Sequence, residues 1–117
     1  MLFRSLDRVP LPEELAHIYR SSLLSINMKL HANVFSAALD CPFVALAYRW
    51  KCVDFAESVG CRDFCILFND PHFADRLLDA VTSTAERLNQ RKRLLSQQVT
   101  AAQKRTAALE KKIAALL

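Results

Sequence analysis

Apolar positions along this chain alternate between two spacings. Short continuous apolar runs stand at Leu23-Leu24-Ser25-Ile26, Phe43-Val44-Ala45-Leu46-Ala47-Tyr48 and Phe64-Cys65-Ile66-Leu67-Phe68, the form taken by strands covered on both faces. Between them apolar residues recur every three or four positions, as along one side of a helix. Leu15, Ile18 and Tyr19 do so within residues 11–20. Leu30, Val34, Ala37 and Ala38 follow within 30–39, and Val53, Phe55, Ala56 and Val59 within 51–59.

Local signals agree with that alternation. Residues 1–10 read as an extended lead-in ended by Pro10. Pro12 suits a first helical turn, where Glu13 and Glu14 favour the positive end of the helix dipole. Pro42 stops the second helix at Asp40-Cys41, and Gly60, the only glycine in the chain, sits where a helix end needs a left-handed residue. Asn69-Asp70-Pro71 opens a final helix. The order α-β-α-β-α-β-α predicts an α/β fold with a small three-stranded parallel sheet over residues 1–70, its helices on both faces. Three strands leave exposed edges, as in a part of a larger domain.

Residues 73–117 contain no proline or glycine and are rich in Ala, Leu, Lys, Arg and Gln. They predict one long C-terminal helix, a second unit over 71–117. A heptad register places Leu78, Ala85, Lys92, Val99, Thr106 and Ile113 at one seam position and Val81, Leu88, Leu95, Ala102, Leu109 and Leu116 at the other, a coiled-coil pattern with Lys92 and Thr106 as its polar interruptions. Such a helix would span about 65–70 Å at about 1.5 Å per residue. Its distal half must dock on something beyond the sheet or pair with another chain, as a homodimer or with a partner.

Length adds that the 117 residues form one small domain. No apolar run reaches the roughly 18–20 residues that span a bilayer, and the mixed-charge start Met1–Arg8 lacks a secretion signal's apolar region. A cytoplasmic protein without a transmembrane segment is expected. The net charge of +4 is uneven: residues 1–70 balance at −1 and residues 71–117 at +5. Arg87, Arg91, Lys92, Arg93, Lys104, Arg105, Lys111 and Lys112 supply that excess, but no nucleic-acid reading motif accompanies them, and nucleic acid is not expected as a partner. Cys41, Cys52, Cys61 and Cys65 lack metal-binding pair spacing and read as buried free thiols, so no metal site is expected.

The candidate chemistry lies at the strand-to-helix turns. Parallel sheets bind ligands at the carboxyl ends of their strands, where helix N-termini turn free N–H groups outward. Lys29 and His31 fall at the first such turn: the lysine can neutralise a phosphate or carboxylate, and the histidine can donate a proton. Tyr48 and Lys51 fall at the next turn, on the same edge. Arg49 and Trp50 beside them could stack or line a sugar site, with Trp50 partly buried. His17 and His72 receive no role.

Residues 11–68 resemble the C-terminal part of the polysaccharide pyruvyl transferase family. That family has a Met-Arg-Leu-His-Ala motif after a strand, a helix, a proline-led Val-Ala-Leu-Ser/Ala-Tyr strand, and a helix opening on Lys-Val. Here these stand as Met28-Lys29-Leu30-His31-Ala32, Pro42 to Tyr48, and Lys51 with Val53; Phe55 to Gly60 is similar to the family's Phe-x-x-x-Leu-Gly. Lys29 replaces the family's arginine, keeping its charge without the bidentate fork. The resemblance implies a Rossmann-like sheet from a glycosyltransferase-B-like architecture whose N-terminal domain is missing here. It implies a transferase of exopolysaccharide biosynthesis in which phosphoenolpyruvate, as donor substrate and with no cofactor, gives its pyruvyl group to a glycan as a ketal. His31 would protonate the enol carbon or assist phosphate departure, and Lys29 would hold the donor's phosphate or carboxylate. The alternative is a non-catalytic interaction module that dimerises through the C-terminal helix.

Overall fold

The computed structural model describes residues 8–117; the lead-in reading for residues 1–10 falls largely outside them. Helix α1 (Pro12–Ser21) precedes strand β1 (Ser25–Asn27), helix α2 (Leu30–Ala38), strand β2 (Phe43–Ala47) and helix α3 (Trp50–Ser58). A 3-10 turn at Arg62–Phe64 leads into strand β3 (Cys65–Leu67), followed by helices α4 (Phe73–Glu86) and α5 (Leu88–Leu116). The strands form one parallel sheet in the order β1-β2-β3. The α/β class, the parallel sheet and the long C-terminal helix are as the apolar spacing predicts.

The central strand explains why its run is apolar without interruption. Phe43, Ala45 and Ala47 point to one side, where Ala37 of α2, Val53 and Ala56 of α3 and Leu95 of α5 close over them. Val44 and Leu46 point to the other side with Ile66, under Leu77, Ala80 and Val81 of α4. Both faces are dry, so neither parity can be polar. The edge strand β1 is different. Ser25 and Asn27 turn inward to Ser36 of α2, and Ile26, on the α4 side, is half exposed. Its strand is therefore shifted toward Asn27 from the apolar run that announced it.

Two tight returns bring the chain back to the sheet. Gly60 has φ +70°, and the N–H of Cys61 donates to Ala56 O at 2.7 Å, closing α3 with the left-handed geometry its glycine predicts. Asp40, φ +55°, does the same for α2, with the Cys41 N–H on Ser36 O at 2.8 Å.

The single helix expected over 73–117 is broken at Arg87 (φ −121°, ψ 38°). The cause is geometric. Helix α4 covers the Val44–Ile66 face, whereas Leu95 and Val99 of α5 cover the Phe43–Ala45 face. A straight helix cannot serve both faces of one sheet, so the chain bends at the sheet's amino edge. Leu95, Val99 and Ala102 then lie along this chain's own core, while residues 103–117 are exposed. Among the described residues no helix is long and apolar enough to cross a membrane, and the four cysteines are free and buried.

Candidate functional site

All three strands end at one edge and lead into a helix, after two residues for β1 and β2 and five for β3. Lys29 is the residue capping α2 and Arg49 the one capping α3; both are extended (ψ 140° and 149°) and neither side chain caps its helix. His31 and Lys51 stand at the second helical position of the same two helices. The first turn of an α-helix has N–H groups without intrahelical partners and carries partial positive charge. Acidic residues normally answer it, as Glu13 and Glu14 do in α1 and Asp75 does in α4. The first turns of α2 and α3 have no acidic residue. Basic side chains there add to the dipole instead of cancelling it.

The third strand-to-helix turn shows the ordinary solution. Asp70 Oδ1 accepts a hydrogen bond from the His72 N–H at 2.8 Å, and its Oδ2 pairs with Arg76 at 2.9 Å. A carboxylate of the chain itself fills that terminus, and His72 serves as its cap residue.

Among the residues singled out in the sequence, Lys29 and Tyr48 are brought together. Lys29 Nζ lies 6.0 Å from the Tyr48 ring centroid, and Arg49 Cζ lies 5.5 Å from the same ring. One phenol thus meets cations from both turns, each a weak attraction worth about 0.5–1 kcal/mol at an exposed site. His31 and Lys51 are exposed and make no side-chain hydrogen bond or ion pair to another described residue; they occupy equivalent places on neighbouring helices without touching. Beside them a cleft of about 280 Å³ is lined by Tyr48, Arg49, Trp50, Phe68 and Asn69 with Ala47 and Leu67. Trp50, expected to be partly buried, is 68% exposed at its mouth, and the guanidinium of Arg49 reaches Tyr48 rather than Trp50. His17 lies on α1, its Nε2 3.4 Å from Ser21 Oγ.

Two residues of these two strand-helix units carry signals that periodicity passes over. Arg49 matters because it caps a helix, which only the exact boundary reveals. Asn33 is 1% exposed, and neither its Nδ2 nor its Oδ1 has a hydrogen-bond partner. A polar residue on the Leu30-Val34-Ala37 side of α2 is the sign to look for, since buried amides are almost always paired.

Arg91, counted in the sequence among the basic tail residues, is buried instead. Its Nη1 donates to Thr84 Oγ1 at 2.6 Å and both Nη atoms to Phe43 O at 3.3 Å. Nη2 also contacts Cys61 Sγ at 3.6 Å, and Cζ lies 3.4 Å from the Phe64 ring centroid. Burial pulls its pKa down, partly offset by Cys61, whose own thiol burial pushes up. This knot ties α4, α5 and β2 at the amino edge, opposite the candidate site. A larger depression of about 700 Å³ beside α4 is lined by Arg62, Arg76 and Arg87 together with Asp63 and Asp79; Arg62 and Arg76 already face a carboxylate, Glu57 at 3.5 Å and Asp70 at 2.9 Å.

No protein-family model, curated protein or solved structure matches this chain.

Proposed function

We propose that the carboxyl edge of the sheet binds a small phosphorylated carboxylate, and that the chain acts as the donor half-site of a polysaccharide pyruvyl transferase-like enzyme with a Rossmann-like, glycosyltransferase-B-type C-terminal unit. One observation carries this reading: basic residues occupy the cap and second positions of two adjacent helix N-termini that contain no acid of their own. Two anionic groups on one small molecule match two cationic termini, and phosphoenolpyruvate has a phosphate and a carboxylate on adjacent atoms of a three-carbon frame.

In this reading Lys29 and Arg49 hold the two anionic groups, with Lys51 on the rim and Tyr48 fixing the spacing of the cations. His31 delivers a proton to the enol carbon. One sugar hydroxyl then adds to the donor's central carbon and a second displaces inorganic phosphate, each hydroxyl losing its proton, which leaves the pyruvyl ketal. The aromatic cleft at Trp50 and Phe68 faces the glycan acceptor. The remaining walls come from a further domain.

Calorimetric titration tests the donor half alone. Phosphoenolpyruvate should bind more tightly than phosphate or pyruvate. The pair Lys29→Ala, Arg49→Ala should lose at least about tenfold in affinity, since a charge-assisted contact contributes roughly 1.5–3 kcal/mol. His31→Ala should bind nearly as well as the parent. Equal affinity in the parent and the double variant, or no preference over phosphate, sinks the reading.

A further inference from the structure

The distal part of α5 has a second kind of surface. Leu109, Ile113 and Leu116 are 57, 49 and 85% exposed and continue the line that Leu95 and Val99 begin against the core. Where that line leaves the core it meets an apolar groove of about 630 Å³, walled by Val34 and Phe55 on one side and Ala102 and Thr106 on the other. The chain therefore covers the first half of the seam itself and leaves the second half and the groove open.

The chemistry beside the seam selects its occupant. Apart from the terminal Leu117, the exposed large apolar side chains of residues 103–117 keep to the two seam positions of each heptad, with alanines at 107, 108, 114 and 115 on the outer flanks. A stripe this narrow is the mark of helix pairing, whereas membrane-surface helices present a broad apolar face. Arg105, whose Nη2 donates to Ser58 O at 3.2 Å, and Lys112 border the seam on one side, Lys104 and Lys111 stand behind it, and Glu110, at the groove's rim, is the only acid of residues 103–117. A second copy fits poorly. Antiparallel pairing sets the Arg105–Lys112 edges of both copies against each other, and parallel pairing drives two cores into the space on the seam side of the helices. An acidic helix satisfies both the apolar and the charged requirement.

We propose that the distal seam of α5 and the adjoining groove receive an acidic amphipathic helix from a partner protein. The seam residues of that helix meet Leu109, Ile113 and Leu116, and its glutamates or aspartates face Arg105 and Lys112. The inference is independent of the anion site at the opposite edge.

A fluorescein-labelled synthetic peptide of about three heptads, with Leu at the seam and Glu beside it, is the probe, titrated against the intact chain by anisotropy. Saturable binding should weaken as salt rises. Leu109→Asp with Ile113→Asp should abolish it, and Arg105→Glu with Lys112→Glu should weaken it at least about tenfold. A peptide with Lys in place of those Glu residues should recover the charge-reversed variant and fail on the parent. All four positions are exposed, so circular dichroism should match the parent, and Leu109→Asp with Ile113→Asp should keep its unfolding midpoint; Arg105→Glu gives up the hydrogen bond from Arg105 Nη2 to Ser58 O at 3.2 Å and should lower the midpoint by no more than a few degrees. Binding that ignores these substitutions, or no rescue by the Lys peptide, overturns the proposal. So does sedimentation as a dimer lost with Leu109→Asp, or binding of phosphatidylserine vesicles at higher apparent affinity than the peptide.

Discussion

The β1–α2 and β2–α3 units are the same device built twice, at a constant offset of twenty residues. Lys29 and Arg49 cap the helices, His31 and Lys51 hold the second position, and Phe35 and Phe55 sit one turn later. Asp40 and Gly60 make the left-handed exit, and Cys41 and Cys61 close the return to the next strand. Inside, the two units part. Where α3 presents Val53 and Ala56 to the sheet, α2 presents Asn33 and Ser36, all of them buried. The second unit is an apolar wedge; the first is polar at the same depth. Backbone geometry is thus set by the exits and the alternation of strand and helix, while the composition of the helix floor is free to differ. Exchanging residues between the units shows which differences matter.

Val53→Asn should have the largest effect. It places an amide in the dry cluster of Phe43, Ala45 and Leu95, where nothing can pair it, and should cost roughly 3 kcal/mol of unfolding free energy. The reverse exchange, Asn33→Val, removes two unpartnered atoms and should be neutral or stabilising by up to about 1 kcal/mol. Urea unfolding of both variants checks the pair. Clear destabilisation by Asn33→Val would show that the amide is satisfied in solution and that the first unit's floor is as well formed as the second's.

Gly60→Ala should follow at about 2 kcal/mol, because a Cβ there meets both a left-handed φ and Gln98 Cγ at 3.0 Å. Its counterpart Asp40→Gly relaxes a strained non-glycine residue at the same place in the first unit and should leave the unfolding midpoint within a degree or two of the parent, relief of strain offsetting the freer unfolded chain. Ser36→Ala copies Ala56 into the first unit. It removes the hydroxyl that Ser25 Oγ meets at 2.7 Å and Asn27 Nδ2 at 3.0 Å, and should cost about 1 kcal/mol.

These exchanges also mark what the sequence discloses. Gly60 announces its conformation because glycine alone adopts it freely, whereas Asp40 adopts the same geometry silently. The apolar run of β2 gives a strand with nearly correct ends because both of its faces are dry. β1 is shifted because its inward side is Ser25 and Asn27, which pattern reading assigns to the surface. The break at Arg87 leaves no proline or glycine as a trace, since it follows from the need to cover two faces. Arg91 reads as part of a basic tail, yet it lies one turn before Leu95 on α5, and that placement predicts burial better than its charge predicts exposure. At the candidate site Lys29, His31, Tyr48 and Lys51 are legible as residues at strand ends. Their common edge, and the role of Arg49 as the second cap, require the parallel register.

The thiols give a smaller, pH-dependent comparison. Burial raises the pKa of both Cys41 and Cys61, with Ser25 and then Lys92 pulling back at Cys41 and Arg91 at Cys61. A raised folded pKa means that the native state holds its proton while the unfolded chain releases it. Stability should therefore be full below the unfolded thiol value of about 8.5 and decline as pH rises toward the folded value. Unfolding midpoints at rising alkaline pH should fall, and Cys41→Ala should reduce the slope; an unchanged slope would assign the decline to other groups.

A small effect at the helix caps bears most directly on function. A lysine capping α2 forgoes the hydrogen bond a serine would give the first turn and adds positive charge to the positive end of a dipole. Its contact with Tyr48, 6.0 Å from the ring centroid, is too exposed to offset both losses. Lys29→Ser should therefore stabilise the ligand-free chain by about 0.5–1 kcal/mol while weakening phosphoenolpyruvate binding. Arg49→Ser should repeat the pattern in the second unit, with a smaller gain because Arg49 gives up a closer contact with the same ring. A cation that destabilises its own helix but strengthens ligand binding serves the ligand, and only the opposed signs of stability and affinity can show that. If Lys29→Ser instead destabilises the chain, the lysine serves packing on Tyr48 and the two termini lose their common purpose.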